Sequence, residues 1–192
     1  MQPGDRSDSE PVVVSMSTPG LIGSDRGARD GSSDDVQRAW AVLLDVMDPE
    51  VPVVSVVDLG IVRDVSWQQG HLHVVVTPTY SGCPATEFIE QMIEEALVEA
   101  GFENPVLEQR LNPAWTTDWI TEKGREELRA FGIAPPVGSA SKKSLLSGDD
   151  QINCPHCGSE HTERISEFGS TACKALYRCS DCLEPFDYFK CI

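Results

Sequence analysis

Two Cys-x-x-Cys pairs, Cys154-Pro155-His156-Cys157 and Cys179-Ser180-Asp181-Cys182, are the residues of this chain whose types and spacing best suit chemistry. Each pair bends the backbone into a tight knuckle that presents two sulfurs along one edge of a tetrahedron. A hairpin between the pairs brings the two edges together. The 21 residues between the pairs slightly exceed the common spacing, and a hairpin absorbs the excess. Such a closed set of Cys154, Cys157, Cys179 and Cys182 takes one structural zinc ion per chain, with rubredoxin-like iron or a shared cluster as the other occupants it accepts. A unit this short has too little core to fold alone, so the metal supplies its folding energy.

The chain has seven cysteines, six of them within the last 39 residues, and Cys83 stands apart. The segment Thr77-Pro78-Thr79-Tyr80-Ser81-Gly82-Cys83-Pro84 reads as the link from a strand to a helix. Pro84 suits a first helical position, because its missing N–H would have no partner there. Cys83 is then expected at the helix cap, where free N–H groups and the helix dipole lower a thiol pKa. Gly82 leaves the sulfur open to approach, and Glu87 opposes thiolate formation. Three roles compete for Cys83: a buried structural thiol, a nucleophile served by His71 or His73, or a transient iron or cluster contact. A lone thiolate suits handing metal on better than holding it. Cys173 and Cys191 are surplus to a four-sulfur site. They are either apolar fillers or auxiliary thiols reaching toward a partner or a metal. Phe168, Phe186, Tyr188 and Phe189 read as the ribbon's small core, and His156 and His161 are poorly spaced for a ligand set already filled by sulfur.

These residues need elements to place them, and the chain divides accordingly. Residues 1–33 are rich in Gly, Ser, Asp and Pro and read as disordered. A body follows over residues 34–134, then a linker over 135–150 and the cysteine-rich unit over 151–192. In the body, Val36, Trp40, Leu43, Leu44 and Met47 recur at helical spacing, until Pro49 and Pro52 break the pattern. Residues 53–57 and 61–67 read as strands, as do 71–77 after the turn Gln68-Gln69-Gly70. A helix is expected from Pro84 to about Ala100, burying Phe88, Ile89, Met92, Ile93, Ala96 and Leu97, with Gly101 ending it. A strand over 106–111 and a helix over 121–131, with Leu128 and Phe131 inward, complete an α+β sandwich with one helical face.

Lys and Arg number 15 against 31 Asp and Glu, for a net charge of −16. The body carries most of it, with six basic and eighteen acidic residues. That balance excludes nucleic acid and anionic membrane as main partners, since neutralising phosphates needs a basic surface. The acidic face is either a docking surface for a basic partner or a solvating one. With no apolar run of membrane-spanning length, no visible signal peptide and unpaired-looking cysteines, the chain reads as cytoplasmic. No Rossmann glycine pattern, phosphate loop or Glu-x-x-His pair is present, so no independent catalytic site is expected.

Asp48-Pro49-Glu50-Val51-Pro52, then Val57-Asp58-Leu59-Gly60-Ile61-Val62, then Thr77 and Gly82-Cys83-Pro84 resemble the MIP18-like (DUF59) domain in order, spacing and residue type. The resemblance covers about residues 34–112. It implies the small α/β sandwich of scaffold-type iron–sulfur assembly proteins and places Cys83 at the reactive position associated with cluster maturation. Further along, Trp115 to Thr121, Gly132 to Pro136, the two knuckles, Phe168-Gly169-Ser170-Thr171-Ala172-Cys173-Lys174 and the ending Phe186 to Cys191 resemble the PaaD-type accessory proteins of the multicomponent phenylacetyl-CoA 1,2-epoxidase. That resemblance spans about residues 34–192 and implies a role in aerobic phenylacetate catabolism. It implies assistance in assembling an iron or iron–sulfur centre in another epoxidase component, either the di-iron oxygenase or the reductase. The alternative is a non-catalytic structural or docking part of the same complex. Whether the chain forms a homodimer stays open.

Overall fold

The computed structural model describes residues 33–137 and 151–190. The expected disordered segment, except Ser33, most of the expected linker, and Cys191 lie outside the described residues. Helix α1 (Ser33–Leu43) starts with Asp34 and Asp35, whose charges favour the positive end of a helix, and buries Ala39 and Leu43 one turn apart. It ends before Met47. The chain there folds back on itself, with the Asp48 N–H bonded to Val54 O at 3.0 Å and the Val56 N–H to Val46 O at 2.9 Å. Residues 53–57, expected as a strand, are therefore a knot of turns. Val54 and Val56 are fully buried without lying in a ladder, because a β-branched run packed from all sides needs no sheet.

Strands β1 (Val62–Gln68) and β2 (His71–Val76) form the expected antiparallel hairpin. Gln69 and Gly70 turn it with φ of 51° and 84°, the left-handed pair that matches strand twist. Helix α2 (Thr86–Glu99) crosses to β3 (Val106–Gln109), which pairs parallel to β2, giving a sheet in the order β1-β2-β3. Ile89, Ile93 and Leu97 make the buried stripe of α2 at i, i+4 spacing. Phe88, expected inward, lies one residue off that stripe and is 53% exposed. Helix α3 (Glu122–Phe131) is capped by the Thr121 hydroxyl, which accepts the Gly124 N–H, and ends on Gly132 in the left-handed conformation. Leu128 faces the core as expected, whereas Phe131 is 56% exposed, because Gly124 and Leu128 already form the helix's buried edge.

The chain then adds β4 (Ile133–Ala134), which pairs parallel to β7 (Pro185–Phe189). With β5 (Thr162–Ser166) and β6 (Lys174–Cys179), these form a second sheet in the order β4-β7-β6-β5. The cysteine-rich unit thus shares a sheet with the end of the body. Phe189 joins the main core and meets Trp115 edge-on at 6.0 Å between ring centres. Phe186 stays in the ribbon's own core with Ala134, Ile152, Cys154 and Cys179. Phe168 belongs to neither core and is 64% exposed. The architecture is α+β, a small sandwich with a C-terminal β ribbon.

Candidate functional site: a four-sulfur knuckle and a pocket at Cys83

The ribbon hairpin brings its two knuckles together as the spacing requires. The sulfurs of Cys154, Cys157, Cys179 and Cys182 all lie within 4.8 Å of one another. Cys154 Sγ is 3.7 Å from Cys182 Sγ, and Cys157 Sγ is 3.6 Å from Cys179 Sγ. A tetrahedral zinc with its usual bonds to sulfur holds its ligands roughly 3.8 Å apart, so this donor set fits the ion. The Cys182 N–H points at Cys179 Sγ at 3.5 Å. That bond leads in drawing the Cys179 thiol down to about 6. Against the pull of the Glu184 N–H, burial and its sulfur neighbours hold the Cys182 thiol up at about 12. His156 takes no part in the cluster and its ring stands edge-on to Phe186 at 6.5 Å. His161 pairs with Asp181 at 3.1 Å.

Cys83 lies elsewhere. Helix α2 begins at Thr86 with Ala85 as its cap, so Cys83 sits ahead of the helix start rather than on it, in the turn that its N–H closes to Tyr80 O at 3.2 Å. The sequence offers opposing influences on its pKa, and in the structure the net shift is upward. Burial raises it first, the Ala85 N–H pulls it down, and the charges of Glu50 and Asp48 push it up again. Cys83 is half-buried.

It lines a cavity that the fold assembles from three places. Asp48 and Glu50 come from the turn after α1, Cys83 from the turn before α2 and Glu90 from its beginning, and Cys173 from the ribbon hairpin. Leu59, Ile61, Val76, Ile89 and Phe189 give it apolar walls. Asp48 Oδ1 accepts the N–H groups of Glu50 and Val51, each at 2.8 Å, which fixes the turn that presents Glu50. Burial raises the Asp48 pKa against the lowering effect of those two bonds. Cys173 is 4% exposed. Its Sγ stands 3.0 Å from the Thr171 hydroxyl and 3.8 Å from Glu50 Oε2, and burial pushes its thiol up to about 11. Lys174 Nζ, also buried, donates to Glu50 O at 3.4 Å and so ties the ribbon to this turn. His71 and His73 lie on β2 and do not line the cavity, so the nucleophile-and-base arrangement is not assembled among its lining residues.

Asp58 holds the neighbouring loop. Its carboxylate accepts from Ser55 Oγ at 2.9 Å, Thr121 Oγ1 at 2.6 Å and Lys123 Nζ at 2.7 Å. Burial opposes the charge, but these bonds, Lys123 first, bring the Asp58 pKa below the usual carboxylate value. Gly60 has φ of 70°, and a Cβ there would stand 2.6 Å from Trp119 O. In the sequence Asp48, Glu50 and Asp58 stand out only as parts of motifs. The sign that could have singled out Glu50 is its place beside Pro49, in a turn where solvated charge is not needed for a helix face.

An α+β domain with a half-buried thiol at a pocket, fused to a four-cysteine ribbon, defines a class: a thiol-bearing scaffold with a metal-binding appendage. Residues 36–102 match the family model described as "Iron-sulfur cluster assembly protein", and residues 138–190 match the one described as "PaaD zinc beta ribbon domain". A protein of Escherichia coli (strain K12), described as one of the subunits of the 1,2-phenylacetyl-CoA epoxidase, is 53% identical over 158 residues, covering 82% of this chain and 93% of that protein. The chain belongs to this PaaD family. A second relative, described as "Fe-S protein maturation auxiliary factor YitW" of Bacillus subtilis (strain 168), is 35% identical over 50% of this chain and 93% of its own length. The DUF59 domain structure from Bacillus anthracis overlays with a TM-score of 0.48 at 24% identity, covering 53% of this chain and 97% of that one. Among the described residues, no helix is long and apolar enough to cross a membrane.

Proposed function

We propose that this protein is an accessory maturation factor of the phenylacetyl-CoA epoxidase system, with no turnover of its own. It assists assembly of an iron or iron–sulfur centre in a partner component, the di-iron oxygenase or the reductase. The reading is supported by its kinship with a relative named as an epoxidase component over most of the chain and with iron–sulfur maturation factors over about half of it. The observation that carries it is Cys83, a half-buried thiol at a pocket rimmed by carboxylates. A thiolate paired with hard oxygen donors grips iron without the permanence of a four-sulfur cage.

In this reading the chain works as two units, residues 34–134 and 151–192. Cys154, Cys157, Cys179 and Cys182 hold one zinc ion, which supplies folding energy and no chemistry. The ribbon then keeps β6 and β7 in place against the body. The work needs reduced thiols and therefore a reducing compartment, the cytoplasm.

The test is expression of the epoxidase components together with either the wild-type chain or Cys83→Ser, followed by iron and acid-labile sulfide analysis of each purified component. The proposal expects one component to lose most of its iron with Cys83→Ser while this chain keeps its zinc. Full iron in every component would show instead a protein whose part in the complex is structural.

A further inference from the structure

We propose that the outward face of helix α2, where Phe88 and Val98 stand among Glu87, Glu94, Glu95 and Glu99, is the surface on which the client protein docks. The client's matching surface carries lysines and arginines around an apolar recess. This rests on the reading of the chain as a maturation factor and adds to it the docking surface and the chemistry of the partner.

The first argument is charge. Helix α2 carries five glutamates, Glu87, Glu90, Glu94, Glu95 and Glu99, and no lysine or arginine. Elsewhere the acidic elements carry their own cations. Asp35 pairs with Arg38 on α1 at 3.1 Å, Glu127 with Lys123 on α3 at 3.3 Å, and Glu163 of β5 with Arg178 of β6. Among the described residues no cation pairs with the α2 glutamates, and their one side-chain partner is Gln91, whose amide donates to Glu95 at 2.7 Å. The pattern also works against the helix itself. Glu90 and Glu94, like Glu95 and Glu99, are like charges four residues apart, and Glu99 ends the helix where its dipole favours a cation. A merely solvating face is better served by mixed signs. Charge set against local stability in this way is accounted for by a basic partner.

The second argument is the apolar surface between those charges. Ile89, Ile93 and Leu97 form the buried stripe, and on the opposite side Phe88 and Val98 are each more than half exposed. They stand about 15 Å apart along the helix axis. An aromatic ring within a charged rim is the usual form of an interface anchor. The third argument is continuity with the thiol. Glu90 neighbours Glu87 and Glu94 on adjacent turns, and it lines the cavity together with Cys83. Its Oε1 is shielded from solvent and has no hydrogen-bond partner among the described residues, so it has room for a donor from the client. Ser81, Gly82 and Pro84, which flank the thiol, are exposed. A client seated on α2 is thereby brought to Cys83.

Calorimetric titration of the full-length chain with the separately purified oxygenase and reductase components, at low and high salt, tests this. The wild type is expected to bind one of them, and more weakly as salt rises. Phe88→Ala is expected to weaken that binding about tenfold or more. Glu94→Lys combined with Glu99→Lys is the sharper probe. It sets opposite charges four residues from Glu90 and Glu95 and a cation at the helix end, so thermal stability should rise while affinity falls about tenfold or more. Glu122→Lys combined with Glu126→Lys, at exposed positions of α3, alters the net charge by the same amount and should leave affinity unchanged. Binding by the α2 variants as tight as the wild type's, an equal loss from the α3 pair, or binding of neither component would overturn the inference. Cys83→Ser should dock as the wild type does. Intact docking on α2, with full iron in every component made beside Cys83→Ser, would remove the delivery reading and leave the surface standing.

Discussion

Cys173 Sγ lies 3.8 Å from Glu50 Oε2 across a sequence separation of 123 residues. The contact exists because β6 begins at Lys174, directly after Cys173, and pairs with β7, whose Phe189 is anchored in the main core against Trp115. The ribbon's position is thus coupled to the pocket at Cys83. The four-sulfur knuckles and the pocket at Cys83 therefore belong to one mechanical unit.

On the proposed reading of the ribbon as a zinc site, removing the metal should therefore disturb the body. Four thiols lie within 4.8 Å of one another, and a metal ion bound by such a set contributes its binding energy to folding. Chelation should melt the ribbon, free Phe189 from Trp115 and shift tryptophan emission to the red. Titration with a strong chelator checks this, and Cys179→Ser should behave as the chelated protein does.

Glu50 should govern the reactivity of Cys83. Burial leads in raising the Cys83 pKa, and Glu50 contributes by charge. Alkylation of Cys83 by iodoacetamide should be slower at neutral pH than that of a free cysteine, and should rise only at alkaline pH. Glu50→Gln should move that rise to lower pH. Rates followed by mass spectrometry of the Cys83 peptide, across a pH series, measure the shift.

Asp58 should be a stability residue with a defined pH signature. Its folded pKa is lowered, so its contribution is complete above the unfolded carboxylate value near 3.9. The contribution fades as pH falls through the lower folded value. Asp58→Asn should cost about 1–3 kcal/mol at neutral pH, the penalty of a buried hydrogen-bond set left incomplete. Denaturant unfolding should show the gap between variant and wild type closing below about pH 4.

Asp48 should show the opposite balance. Its pKa is raised by burial, while its Oδ1 accepts two backbone N–H groups that an amide oxygen serves as well. Asp48→Asn should leave thermal stability near the wild type or slightly above it at neutral pH. Asp48→Ala should lose roughly 1–2 kcal/mol by stranding both N–H groups. Thermal melts of both variants beside the wild type measure the difference.

The knuckles were legible in the sequence because their chemistry is local, and each pair sets its own geometry in four residues. The α2 stripe of Ile89, Ile93 and Leu97 and the β1–β2 hairpin were legible for the same reason. Residues 53–57 misled, since β-branched content marks burial whether or not a ladder forms. Phe131 misled because helical spacing alone does not say how wide a helix's buried face is. The Cys83 environment was illegible in a different way. Its pKa turns first on burial and then on Ala85, Glu50 and Asp48, and the cavity on Cys173, surroundings that only the tertiary fold brings together.

The most direct measurement of the central claim is transfer. Iron-loaded wild-type chain and iron-treated Cys83→Ser would each be mixed anaerobically with the separated, iron-free epoxidase components, and the iron gained by each component measured after re-purification. The account predicts that the wild type loads one component and that Cys83→Ser loads it no better than free ferrous ion does. Equal loading by both chains would contradict it.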